Sequence, residues 1–269
     1  MKHLLSLAFL ISLTLLTGCD RLFEYTPYSA NVRNRFKETT KNNLDRLPAI
    51  EQESQGQSQF KIALISDSHI FYNGLADMIN LINLDKDVLF VIHGGDLTDG
   101  GMLKEYEIFH DIMDDLQVPY FTVIGNHDCL VNGRGIYNEM FGEENYSFVF
   151  KNCKFIFFND IVWELNYEEP DFLWLENELE NSGQYDKVFV ISHIPPWSDQ
   201  FSATSSWVFK TMLDTNNVAV SIHGHHHEHE YTEYYNDSVQ YLIIGAPREG
   251  SYCNMTIYDD SVHVEKIIL

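Results

Sequence analysis

Cations are scarce in this chain: 17 Lys and Arg stand against 40 Asp and Glu over 269 residues, a formal charge of −23. A protein that neutralises a nucleic-acid backbone needs clustered Lys and Arg to release counterions, so no nucleic-acid partner is expected. Polybasic docking on anionic lipid is disfavoured on the same ground. A polyanionic substrate would be repelled at long range unless bound metal ions reversed the local field. Cysteine is scarce too, at four residues. With Cys19 set aside, Cys129, Cys153 and Cys253 are an odd number and make no disulfide framework. They read as small buried apolar residues, with a Cys153–Cys253 bridge as the alternative. The apolar run Leu4–Leu16 is 13 residues long, short of the roughly 20 needed to span a bilayer. What the chain does have is 12 His within an acidic composition, which points toward metals. Its 45% hydrophobic and 21% charged residues are those of a globular chain, and the length suits one large α/β domain.

Residues 1–18 read as a targeting segment: Lys2, then the apolar run, then Leu16-Thr17-Gly18-Cys19. This ending resembles the lipobox of bacterial lipoproteins, which implies cleavage before Cys19 and lipidation of its thiol. A simple secretory signal is the alternative. The resemblance places the protein in the bacterial cell envelope, lipid-anchored to a membrane on its extracytoplasmic face. Residues 19–59 are polar and read as a tether or N-terminal extension. Phe23, Tyr25 and Tyr28 are unusual there and are candidates to pack on the domain.

From Phe60 the pattern changes. Apolar runs at 60–66, 87–93 and 119–124 read as buried strands, with helices at 74–84 and 102–116 between them. Strands follow at 146–150, 154–159, 187–192, 218–222, 240–244, 254–258 and 262–268, with helices at 171–181 and 205–213. Alternating β and α in the first half predicts a parallel sheet. The strand-rich second half predicts antiparallel pairing. Two packed mixed sheets with helices outside accommodate both, an α/β sandwich of four layers over residues 60–269.

Several apolar runs lead straight into metal-type donors. These are Asp67 and His69, Asp96, Asn126 with His127 and Asp128, His193, and the tract His223-Gly-His-His-His227. In open α/β sheets ligands bind beyond the carboxyl ends of strands, so these donors are expected to converge. Asp67-x-His69 and His225-x-His227 would share a side of an extended segment. The glycines before Asp96 permit a tight turn. Asp96 has two oxygens and can bridge two cations. Mixed nitrogen and oxygen donors suit Mn, Zn or Fe, and the lack of Cys donors argues against a structural zinc site. His223-x-His225 is a second possible register. His93, His226 and His229 lie nearby without an assigned role, and His3, His110 and His263 read as surface or packing residues.

D-x-H, G-D, G-N-H-D, H and G-H-x-H in this order resemble the calcineurin-like metallophosphoesterase superfamily. The resemblance implies a ββ sandwich flanked by helices. It implies Asp67, His69, Asp96 and His227 on one metal ion, and Asp96, Asn126, His193 and His225 on a second. His127 would face the leaving group, with Asp128 orienting it. It further implies hydrolysis of a small phosphomonoester or phosphodiester by a metal-bridging hydroxide, the ions standing about 3.5–4 Å apart. Purple acid phosphatases carry Tyr where this chain has Asp99, so an Fe(III)–Tyr site is not expected. The segment Gly95–Gly100 is similar to the cyclic-nucleotide-phosphodiesterase-like branch. Arg134 and Arg248 are candidate phosphate contacts, and Trp197 and Trp207 candidate stacking surfaces. The competing readings are an envelope lipoprotein that binds metal or ligand without catalysis, and a structural envelope protein whose His tract buffers metal.

Overall fold

The computed structural model describes residue 26 and residues 28–269. The leader at 1–18, Cys19, Phe23 and Tyr25 lie outside the described residues. Strands β1 (Gln59–Ile65), β2 (Val88–His93) and β3 (Tyr120–Thr122) run parallel. Strand β10 (Ser251–Tyr258) joins β1 antiparallel, and β11 (Val262–Ile268) completes a five-stranded sheet, in the order β11-β10-β1-β2-β3. The second sheet has six strands, β4 (Tyr146–Phe150), β5 (Cys153–Phe157), β6 (Lys187–Ile191), β7 (Val218–His223), β9 (Gln240–Ile243) and β8 (Glu230–Thr232), in that spatial order.

Side-chain alternation sets the layers. Along β1, Phe60, Ile62 and Leu64 point to the interior between the sheets, while Ala63 and Ile65 point out to helices. The inter-sheet layer is rich in phenyl rings. Phe90 packs edge-on against Phe121, Phe148, Phe150 and Phe155 at centroid distances of 5.4–5.8 Å, the geometry the ring quadrupole favours. Outside the first sheet lie α3 (Tyr72–Leu84) and α4 (Leu103–Met113). Leu75, Met78, Ile79 and Ile82 of α3 recur at helical spacing and are all buried. Outside the second lie α6 (Phe172–Leu179), through Leu175 and Leu179, and α7 (Ala203–Thr215), through Phe209 and Leu213. The result is the four-layer α-β-β-α sandwich.

The antiparallel pairing expected of the second half is corrected in part. Strands β5, β6, β7 and β9 pair in parallel, while β4, β8, β10 and β11 pair antiparallel. Helices α6 and α7 supply the crossovers that parallel pairing requires. The segment 19–59, read as a tether or N-terminal extension, is packed from Val32 to Ser54 in the manner of an extension. It holds α1 (Thr39–Leu44) and α2 (Leu47–Glu53), and it buries Val32, Phe36 and Leu47. Phe36 sits edge-on to His110 at 5.0 Å, covered by the Arg33 and Arg35 guanidiniums at 4.9 and 3.9 Å. Polar composition there reflects a solvated outer face. Tyr28 is exposed. Cys129, Cys153 and Cys253 are free thiols, with Cys153 on β5 and Cys253 on β10 of the other sheet.

One helix had no clear sequence signal: α5 (Gly133–Met140) opens on Gly-Arg-Gly, a poor helix former. Arg134 on α5 is committed to structure. Its guanidinium donates to both oxygens of Glu144 at 2.6 and 2.9 Å. Asn138 and Asn159 donate to the same carboxylate. Burial opposes the Glu144 charge, but these donors, Arg134 first, hold its carboxyl below the usual range. That stability is present above the ordinary glutamate value near pH 4.3 and is lost as pH falls through the depressed folded value. Arg134→Ala is expected to cost about 1–2 kcal/mol at pH 7, allowing for solvent screening of the half-exposed guanidinium. Denaturant melts should show the gap between wild type and variant closing below about pH 4.

Candidate metal centre

Strands β1, β2, β3, β6 and β7 deliver their following residues to one place. Backbone strain, rather than strand pleat, aims the donors. Asp67 (φ 53°), His69 (44°), Asp96 (56°), His225 (67°) and His227 (66°) all adopt the left-handed conformation. Such a conformation in a non-glycine residue costs of order 1–2 kcal/mol and persists only where its surroundings enforce it. The extended D-x-H and H-x-H geometry expected from strand period is therefore replaced by turns. Two glycines let the loops approach. A Cβ on Gly125 would collide with the backbone nitrogen and Oδ1 of Asp96, and one on Gly224 with Ser66 Oγ and Asp67 Oδ2.

The donors meet in overlapping groups. Those of Asp67, His69 and His227 lie within 4.8 Å of one another, as do those of Asp67, Asp96 and His193. Asn126 completes the second side, its Oδ1 3.2 Å from His193 Nε2 and 3.2 Å from His225 Nδ1. Its amide nitrogen donates to Glu164 Oε1, which turns the oxygen inward. His193 donates Nδ1–H to the Gly94 carbonyl, leaving Nε2 facing Asp96 Oδ2 at 3.3 Å. All seven expected metal donors are thus brought together.

Electrostatics identify what the site can hold. Asp67 and Asp96 are fully buried. Burial alone would raise both, yet Asp67 is held below the ordinary range by His227 and His193, and Asp96 by His193 and its neighbours. Burial likewise opposes charge on His193, but Asp96 and Asp67 raise it to about 10. His225 is pushed down to about 4 by burial and by His193. Protons on His193 and His227 thus supply the positive charge that the carboxylates demand. Both ring nitrogens of His69 are buried without a hydrogen-bond partner, a costly arrangement for a polar group. Orphaned imidazole nitrogens beside buried carboxylates fit divalent cations, which would take over from those protons.

The remaining histidines separate cleanly. His223 spends both ring nitrogens on the Ser192 and Ser221 hydroxyls, so 225 and 227 are the register that faces the site. His93 bonds Ser68 Oγ, and His229 Nδ1 lies 3.1 Å from Cys253 Sγ. His226 is exposed.

Asp128 requires a correction, since it makes no contact with the His127 ring that would orient it. Its carboxylate accepts from the backbone N–H of Leu97, Thr98 and Gly125 and from Thr98 Oγ1, tying the Asp96 loop to the Asn126 loop. Burial, with Asp96 nearby, pushes its carboxyl up to about 7. His127 is oriented instead by the Asp99 carbonyl, 2.7 Å from Nδ1. A carbonyl can only accept, so Nδ1 carries the proton and Nε2 is left free. Asp99, Glu164 and Asp160, which accepts from the His193 and Ile194 amides, were not expected in these roles. Trp197 stacks on Tyr234 at 3.8 Å, and Trp207 is exposed on α7.

Residues 60–229 match the family model described as calcineurin-like phosphoesterase. A 3',5'-cyclic-nucleotide phosphodiesterase of Nostoc sp. is 26% identical over 187 residues, covering 64% of this chain and 67% of the relative. A probable glycerophosphodiester phosphodiesterase of Arcobacter nitrofigilis is 32% identical over 127 residues, covering 44% of this chain and 46% of its own. A dimetal phosphatase of Danio rerio superposes with a TM-score of 0.65 at 14% identity, over 77% of this chain and 95% of that one. The fold, the convergent donors and the match across most of the domain agree: the chain belongs to the calcineurin-like phosphoesterase family and is a hydrolase of phosphoric esters.

Proposed function

We propose that this protein is a lipid-anchored phosphodiesterase of the bacterial cell envelope that works with two divalent transition-metal ions, Mn, Zn or Fe. The observation that carries the reading is the convergence of Asp67, His69, Asp96, Asn126, His193, His225 and His227 around buried carboxylates whose charge is held by neighbouring imidazoles. Asp67, His69, Asp96 and His227 would hold one ion, and Asp96, Asn126, His193 and His225 the other, with Asp96 shared. When bound, such ions supply an activated water and neutralise the phosphoryl oxygens. Both phosphoesterase relatives described above are named as acting on diesters, which supports a diester substrate here.

The chain's own groups do the rest. His127, its Nδ1–H bound to the Asp99 carbonyl, presents Nε2 to the site. A proton carried there can pass to the departing oxygen, the group whose charge grows as the P–O bond breaks. Asp128 holds the two loops that carry Asp96 and Asn126 in register. Arg248 is exposed, pairs with Glu249 and has its charge felt at His227, which supports it as a candidate phosphate contact. Residues 1–18 serve as the leader, Cys19 carries the lipid, and the catalytic domain begins at about residue 60.

Metal analysis together with hydrolysis of bis-p-nitrophenyl phosphate and p-nitrophenyl phosphate tests this. The diester is expected to turn over faster than the monoester. Asp67→Ala and His225→Ala should abolish turnover and lower metal content. His127→Ala should depress turnover by about 10²–10⁴-fold with metal content unchanged. Equal metal loss in His127→Ala would refute its assigned role, and full activity in Asp67→Ala would refute the site.

A further inference from the structure

We propose that the mouth of the metal centre seats on the lipid bilayer that holds the Cys19 acyl chains. The proposal rests on the reading of Cys19 as the lipidation site. Loops that carry site residues end in exposed apolar side chains. Ile70 and Phe71 follow His69, Leu130 and Val131 follow the His127–Cys129 turn, and Trp163 precedes Glu164, the Asn126 partner. The His69 and His127 rings are 4.6 Å apart, so the first two loops leave from one point. Val131 is 59% exposed and its φ is 52°. A β-branched residue in the left-handed region is strained. Here the strain holds an apolar tip out to solvent. Strain of this kind gathers at sites that use it.

Tyr28, nine residues after Cys19, is held at the same rim. Asn132, next to Val131, donates from Nδ2 to the Tyr28 carbonyl at 2.9 Å. Nine residues, Asp20–Tyr28, separate that carbonyl from Cys19, a reach of at most about 30 Å. Among the described residues, Arg33, Arg35, Arg134 and Arg248 are already paired, with Glu107, Asp111, Glu144 and Glu249. Adhesion would therefore be apolar and indifferent to lipid charge. A site so placed would meet phosphoesters presented at the membrane surface.

The test uses full-length protein in phosphatidylcholine vesicles with a fluorophore on Val131→Cys or Leu84→Cys. Leu84, 76% exposed, ends α3 at the opposite end of the sheet and is the matched control. Brominated acyl chains are expected to quench the label at 131 at least threefold more than at 84. Equal quenching, with Cys19 acylation confirmed by mass, overturns the seating and leaves the anchor standing. A label at 131 shielded from aqueous iodide yet untouched by brominated lipid puts a protein there and also overturns it. If mass shows no acylation, the anchor reading falls. Vesicle binding that then drops tenfold in Val131→Glu still supports the seating, and absence of binding overturns it.

From a separate observation inside the site, we infer that Gln200 is the positioning residue of His225. His225 Nδ1 faces Asn126 Oδ1, and its Nε2 lies 3.4 Å from Gln200 Nε2. Gln200 Oε1 is buried without a partner. That contact holds only while His225 Nε2 accepts; exchanging the two ends of the amide gives the orphaned oxygen a donor. With the amide turned, Oε1 accepts from His225 Nε2–H. That is the tautomer His225 needs when Nδ1 gives its lone pair to a cation. Gln200→Leu removes the acceptor at similar size, and Gln200→Glu retains it. Calorimetric titration of the metal-free chain with Mn²⁺ should show the weaker of two binding steps lowered tenfold or more in the Leu variant, and within threefold of wild type in the Glu variant. The unchanged first step reports an intact fold. Unaltered binding in the Leu variant, or a Glu variant worse than Leu, would mean a packing role and overturn the inference.

Discussion

Two carboxylates with no access to water govern this structure. Asp67 and Asp96 lie within a single donor group with His193, and removing two like charges from solvent costs several kcal/mol per ion unless positive charge is brought to them. The molecule meets that demand with surrounding imidazoles, and it holds them by strain. Five donor residues sit in left-handed turns, while Gly125 and Gly224 let neighbouring loops press against the carboxylates. None of this would persist for packing alone, because an apolar cluster of the same volume would be more stable. The arrangement makes sense as a cradle for cations.

The rest of the domain supports that cradle. The inter-sheet phenyl layer fixes the strands, and the strands fix where the loops start. Asp128 lies fully buried beneath two of those loops and collects three backbone amides and a hydroxyl. The family resemblance implies a partnership with the His127 imidazole, but the geometry assigns Asp128 to the backbone instead. The imidazole is left to the Asp99 carbonyl, so the two neighbours serve different ends: one sets loop register, the other presents a nitrogen. In a chain this acidic, cations at the centre would also reverse the local sign of the field and admit a phosphoester that the surface as a whole repels.

The donor set was legible because it follows a topological rule: polar residues immediately after apolar runs in a parallel sheet gather at one edge. Asp67, Asp96, Asn126 and His193 could be placed from that rule and their spacing. The left-handed turns could not, since φ is set by the loops that press on Asp67 and His69 and not by the residues themselves. Parallel pairing of β5, β6, β7 and β9 was obscured because strands outnumber helices in the second half, although α6 and α7 lie between β5, β6 and β7. The packing of residues 32–54 was hard to read because its few anchors, Val32, Phe36 and Leu47, are widely spaced among solvated residues. Gln200 had no signal in sequence at all. Its meaning lies in an orphaned oxygen visible only once His225 is in place.

The most direct test of the central claim is anomalous diffraction from crystals of the protein soaked in Mn²⁺. Two peaks per chain should appear, one between Asp67, His69 and His227 and one between Asn126, His193 and His225, with the Asp96 carboxylate reaching both. A single peak at the exposed His226, or density that leaves Asp67 and Asp96 bridged only by protonated imidazoles at full soaking, would contradict the account.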